Sequence, residues 1–120
     1  FWPGPLSLVV PARAGLPAAL TAGTGTIGMR QSAHPVAAAL VRRFGRPITA
    51  PSANPPGATP ARTVAEARAY FGAAVSCYLD GGRCDGQPST VVVVEGETLR
   101  VLRPGPISEA DLRAASEEGT

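Results

Sequence analysis

Residues 90–94 read Thr-Val-Val-Val-Val, a β-branched run with no polar residue at alternate positions. β-branched side chains are stiff at χ1 and pack well on a pleated surface. A run that is apolar on both faces predicts a strand buried on both sides, with a neighbour along each edge. Any fold for this chain must supply those neighbours. The candidates are Leu6–Val10, entered through Pro3-Gly4-Pro5 and closed by Pro11; Thr26–Arg30; Pro47–Ala50; Val75–Leu79; and Leu99–Leu102, which follows a turn at Gly96. Six short strands are thus expected, the central one included.

Helical signals fall between them. Pro35 suits a first helical turn, Val36, Ala37, Leu40, Val41 and Phe44 mark one face, and Gly45 fits the stop. Thr63-Val64-Ala65-Glu66 has the spacing of a capping box, opening a helix that ends near Phe71-Gly72. Ser108-Glu109-Ala110-Asp111 resembles a third start. Strands alternating with helices predict an α/β (α+β) sheet domain. Residues 1–120 are expected to form a single domain, incomplete at its N-terminus, because the chain opens abruptly at Phe1-Trp2 and some partners of the central strand are missing from the pattern.

Gly (14) and Pro (13) are numerous enough to raise the question of disorder. They sit between apolar runs, where turns belong, and not in a polar tract. No apolar stretch approaches membrane-spanning length and no signal-peptide pattern is present, so a cytoplasmic protein without membrane association is expected. Cys77 and Cys84 lack metal-ligand spacing and are read as reduced thiols, and no metal site is assigned.

Charge is divided unevenly. Residues 1–65 hold Arg13, Arg30, Arg42, Arg43, Arg46 and Arg62 and no acid, whereas all nine acids lie in residues 66–120. A cationic half suits an anionic ligand such as nucleotide phosphates or RNA, although Arg42, Arg43 and Arg46 are equally compatible with a solvated helix face. The absence of Lys excludes a Schiff base or a P-loop lysine within the chain.

No carboxylate pair or nucleophile–base spacing emerges, and no catalytic residue is assigned. What remains are polar residues at the ends of apolar strands: Thr26, Arg30, Ser52, Asn54, Ser89, Thr90 and Arg103. Ligands of α/β sheets bind at strand ends, and Arg presents a planar fork to carboxylates and phosphates. These residues either converge on one anionic ligand or serve as turn and cap residues, as Ser, Thr and Asn often do.

Four blocks in order decide how the sequence reads as a whole: FWPGPLSLVV; TIGMR followed by HPVAAALVRRFGRPITAPSANPPG; DGGRCDGQPSTVVVV; and VLRPGPIS. Together they resemble the YrdC/Sua5 family. That resemblance implies a twisted mixed sheet with flanking helices and the synthesis of threonylcarbamoyl-AMP from L-threonine, bicarbonate and ATP. It also implies a nucleotidyltransferase whose product feeds tRNA modification through downstream threonylcarbamoyl-transferase proteins. Position by position, it implies ATP contacts from Thr26, Ser52, Asn54 and Arg103, and threonine contacts from Arg30, Ala50 and Ser89. For the hydroxyl usual in the family near the nucleotide, the resemblance implies Thr59 as the substitute. Mg2+ carried by the nucleotide is the candidate ion, and the cationic half is a candidate tRNA contact.

The sequence departs from the pattern in places. The family's K-x-R element precedes the FWPGP block and has no counterpart here, so the chain alone is expected to be inactive. Ala33 replaces an acid before His-Pro, removing a good helix cap. Two other readings are compatible with the residues: a carbamoyl-transfer domain like that of hydrogenase-maturation proteins, and an RNA-binding module without catalysis.

Overall fold

The structure is a computed structural model and describes residues 1–96 and 98–117. These fall into two compact units, residues 1–33 with the described residues from 87 onward, and residues 34–86.

The first unit is built on a four-stranded sheet. In chain order its strands are β1 (Leu6–Pro11), β2 (Thr26–Met29), β3 (Thr90–Glu95) and β4 (Thr98–Arg103), and their spatial order is β2-β1-β3-β4. β1 runs parallel to β3, with Leu6 opposite Thr90 and Leu8 opposite Val92. β2 and β4 are antiparallel edges. The valine-rich strand is therefore interior, as its composition demands. Val92 is fully buried on one face, and Val93, of opposite parity, is 7% exposed. A four-residue helix α1 (Ala18–Thr21) precedes β2.

The core gathers Leu6, Val92 and Leu112, with Leu8, Leu99, Val101 and Ile107 packed around them. Leu112 belongs to the last helix, α4 (Glu109–Glu117). Its start is a reciprocal cap: Asp111 N donates to Ser108 Oγ at 3.1 Å, and Ser108 N and Oγ both donate to the Asp111 carboxylate. Thr90 at the head of β3 is fully buried, and its hydroxyl both donates to Ile107 O and accepts from Ile107 N, each at 2.9 Å. That pair of hydrogen bonds ties the segment leading into α4 to the central strand.

The second unit carries α2 (Pro35–Phe44) and α3 (Val64–Phe71), the latter followed by a 3-10 turn at Gly72–Ala74. Pro35 occupies the first turn of α2, and Gly45, at φ 71°, ends it by donating its N–H to Val41 O. No side chain caps the start of α2. At α3, Glu66 N donates to Thr63 Oγ1, but the Glu66 carboxylate accepts from Arg62 N rather than from the cap residue itself.

Two expected strands are absent. Pro47–Ala50 is irregular: Pro47 and Pro51 bracket it without backbone donors, and Ile48 is exposed. Val75–Leu79 is irregular as well, since the second unit offers no strand among its described residues for it to pair with. The mixed α/β sheet stands, with four strands instead of six. Cys77 and Cys84 are both free and exposed. No helix among the described residues is long and apolar enough to cross a membrane.

Candidate functional site

Strand parity sorts the candidate residues of the first unit. Leu6, Leu8 and Val92 face the core beneath α4, so Ser7, Val9 and Val91 face the opposite side. β2 follows the same rule. Thr26 pairs with Pro11 and Gly28 with Val9, placing Thr26 on the side of Ser7. Arg30 lies one residue beyond Met29, the partner of Leu8, and continuing the register brings it level with Ser7.

β4 reaches the same face by a different device. Regular alternation would put Leu99, Val101 and Arg103 together on the core side. A bulge intervenes: Val92 pairs with Val101, whereas the adjacent Val91 pairs with Arg103, leaving Leu102 as the extra residue. One inserted residue reverses which face the following side chain takes. The bulge thereby transfers the Arg103 guanidinium from the core side to the side of Ser7.

There Arg103 is held closely. Nε and Nη2 donate to Ser89 O at 3.2 and 2.9 Å, and Nη2 also reaches Ser89 Oγ at 3.2 Å. Ser89 itself is only 3% exposed. Its hydroxyl shares a 2.7 Å hydrogen bond with Ser7 Oγ. The Nη1 group of Arg103 keeps two divergent N–H donors, each able to meet a separate anionic oxygen.

Arg30 is anchored by its Nε to Gly4 O at 2.8 Å, while Gly4 N donates to Gln31 O at 2.9 Å. The Pro3-Gly4-Pro5 turn is thus stitched to the end of β2, and the Arg30 terminal nitrogens are directed by a backbone contact. Thr26 Oγ1 pairs with Thr24 Oγ1 at 2.9 Å.

In the second unit, Ala50 and Ser52 are exposed in an irregular segment. Ser52 O accepts from Asn54 N at 3.0 Å, and Asn54 Nδ2 donates to Pro55 O at 2.9 Å. Asn54 Oδ1 is buried and has no hydrogen-bond partner among the described residues. A carbonyl oxygen only accepts, so this atom suits a hydroxyl or amino group and not a phosphate oxygen. Thr59 contributes its backbone, accepting from Tyr70 Oη at 3.0 Å.

Among the described residues, Arg62, Arg83, Arg100 and Arg113 form ion pairs with acids, so five of the six Arg in residues 1–65 stand outside these pairs. No group of three or more His, Cys, Asp or Glu is placed to hold a metal ion among the described residues.

Ser7 is the residue that sequence reasoning passed over. The signal was present, since a hydroxyl at an alternate position of the otherwise apolar Leu6-Ser7-Leu8-Val9-Val10 calls for a partner.

Comparison with known proteins identifies the family. The sequence profile of the Sua5/YciO/YrdC family, described as telomere recombination, matches residues 1–105. The chain belongs to the Sua5/YciO/YrdC family. A Halorhodospira halophila relative named threonylcarbamoyl-AMP synthase is 40% identical over 102 residues, covering 85% of this chain and 53% of its own length. Among solved structures, P. abyssi Sua5 complexed with L-threonine superposes with a TM-score of 0.87 at 35% identity, covering 95% of this chain and 34% of that one. E. coli YciO matches with a TM-score of 0.68 at 26% identity, covering 88% of this chain and 52% of its own. The Sua5/YciO/YrdC chain described here therefore spans about half the length of the Halorhodospira relative and a third of P. abyssi Sua5.

Proposed function

We propose that this chain is part of a threonylcarbamoyl-AMP synthase, a nucleotidyltransferase acting on L-threonine, bicarbonate and ATP. The observation that carries the reading is the cationic face of the sheet, where Arg103, Ser89 and Ser7 form one hydrogen-bonded group and the β1/β2 register brings Arg30 to the same side. Family membership supports it, as does the threonine bound to P. abyssi Sua5.

In this reaction the threonine amine combines with bicarbonate, losing water, to give a carbamate. A carbamate oxygen attacks the α-phosphorus of ATP, the bond from that phosphorus to the bridging oxygen breaks, and pyrophosphate leaves. Such chemistry needs positioned reactants and neutralised phosphate charge more than a protein nucleophile. Arg30 is assigned the threonine carboxylate, with Ser89 and Ala50 lining that substrate. Arg103 and Thr26 are assigned the nucleotide. Ser52, Asn54 and Thr59 are assigned to the nucleotide as well, with the Asn54 carbonyl oxygen suited to a ribose hydroxyl or to the adenine amino group. Mg2+ would be carried by the phosphate oxygens of the nucleotide. Contact with tRNA is assigned to the cationic half, residues 1–65.

The test is made with the product of the complete gene. Steady pyrophosphate release that requires ATP, threonine and bicarbonate together supports the reading. ATP turnover indifferent to threonine, or transfer from carbamoyl phosphate instead, overturns it.

A further inference from the structure

We infer that Ser7 is a positioning residue for the nucleotide, acting through Ser89 to hold the Arg103 guanidinium. The inference rests on the assignment of Arg103 to ATP and adds a residue to it.

The geometry begins with the Ser89 hydroxyl. At 3% exposure it has little access to water, and a buried hydroxyl needs partners for its proton and its lone pairs. Arg103 can only donate, so its bond to Ser89 Oγ uses a lone pair and leaves the hydroxyl proton unsatisfied. Ser7 Oγ, at 2.7 Å, is the partner for that proton or the donor that fixes its direction. Register explains why Ser7 is there: Ser7 pairs with Val91 and Val91 with Arg103, so one row crosses β1, β3 and β4 on a single face.

Without Ser7, the Ser89 hydroxyl turns to find another partner and ceases to be a fixed acceptor for Nη2. The guanidinium then keeps its bonds to Ser89 O but loses the contact that sets its tilt. Side-chain tilt decides where the Nη1 N–H donors point, and so how well they meet a phosphate oxygen.

The experiment measures ATP affinity by titration calorimetry in the product of the complete gene. Ser7→Ala is expected to weaken ATP binding about three- to tenfold, the worth of one net hydrogen bond. Ser7→Thr, which keeps the hydroxyl, is expected to bind ATP like the unmodified protein, whereas Ser7→Cys, similar in shape with a weak hydrogen-bonding group, behaves like Ser7→Ala. In an Arg103→Ala background, Ser7→Ala is expected to cause no additional loss. A full effect of Ser7→Ala persisting without Arg103 overturns the inference, as does a Ser7→Ala protein that melts earlier yet binds ATP unchanged. If Arg103→Ala itself leaves ATP affinity intact, the assignment of Arg103 to the nucleotide has failed, an outcome distinct from failure of the Ser7 link.

Discussion

Arg103 owes its position to one surplus residue. A guanidinium on the core side would face Leu6, Val92 and Leu112, where an unpaired charge is costly. The extra Leu102 spares the fold that cost and places the charge beside Ser89. Arg30 is directed differently, by a bond to the Gly4 carbonyl. Because its fork is assigned to the threonine carboxylate, Arg30→Ala in the product of the complete gene is expected to lose about 2–4 kcal/mol of transition-state stabilisation, read from kcat/KM for threonine, the range for loss of an electrostatic donor. Gly105 is constrained by proximity. A Cβ there would lie 2.6 Å from Pro88 O and 2.7 Å from Ser89 C, both backbone atoms that cannot step aside. Gly105→Ala is expected to destabilise by roughly 1–3 kcal/mol, the cost of overpacking, seen as a lowered urea midpoint. The types of these residues were legible in the sequence. Their facing was not, because strict alternation assigns Arg103 to the wrong side and no residue pattern announces where a strand will bulge.

Elements formed where the local signals agreed with one another. The α2 helix runs Pro35–Phe44, set by a proline in its first turn, apolar spacing and the Gly45 stop, and α3 begins after its Thr63 cap. The two missing strands had apolar content without a partner. Ile48 lies between prolines, and Val75–Leu79 has Tyr78 turned back to donate its hydroxyl to Gly72 O at 2.8 Å. Strand propensity is realised only against a neighbouring strand, which sequence periodicity does not reveal. Thr63→Ala removes the hydroxyl that accepts from Glu66 N and is expected to cost about 1 kcal/mol, measured by thermal melting. Thr90→Val leaves the Ile107 N–H and carbonyl without their shared partner and is expected to cost about 1–3 kcal/mol, with faster amide exchange at Ile107.

At the scale of the molecule the two units differ in kind. The first has a core of Leu6, Val92 and Leu112; the second, over residues 34–86, has no buried residue and leaves Leu40, Phe44, Ile48 and Leu79 at least 40% exposed. A peptide of residues 34–86 is expected to give a circular dichroism spectrum dominated by coil, since chain entropy outweighs what such shallow burial returns. The mixed sheet was legible as a class, from the valine run and its neighbours. The division into units was not, because apolar spacing marks which side of a helix seeks cover without saying whether cover exists. The parallel pairing of β1 with β3 also dictates an order of events. Ser7 meets Ser89 across 82 positions of chain, so during translation the first strand and its hairpin companion must wait, one edge open, until the valine segment leaves the ribosome. Slow acquisition of structure and a vulnerable early edge are the kinetic signature of such a sheet.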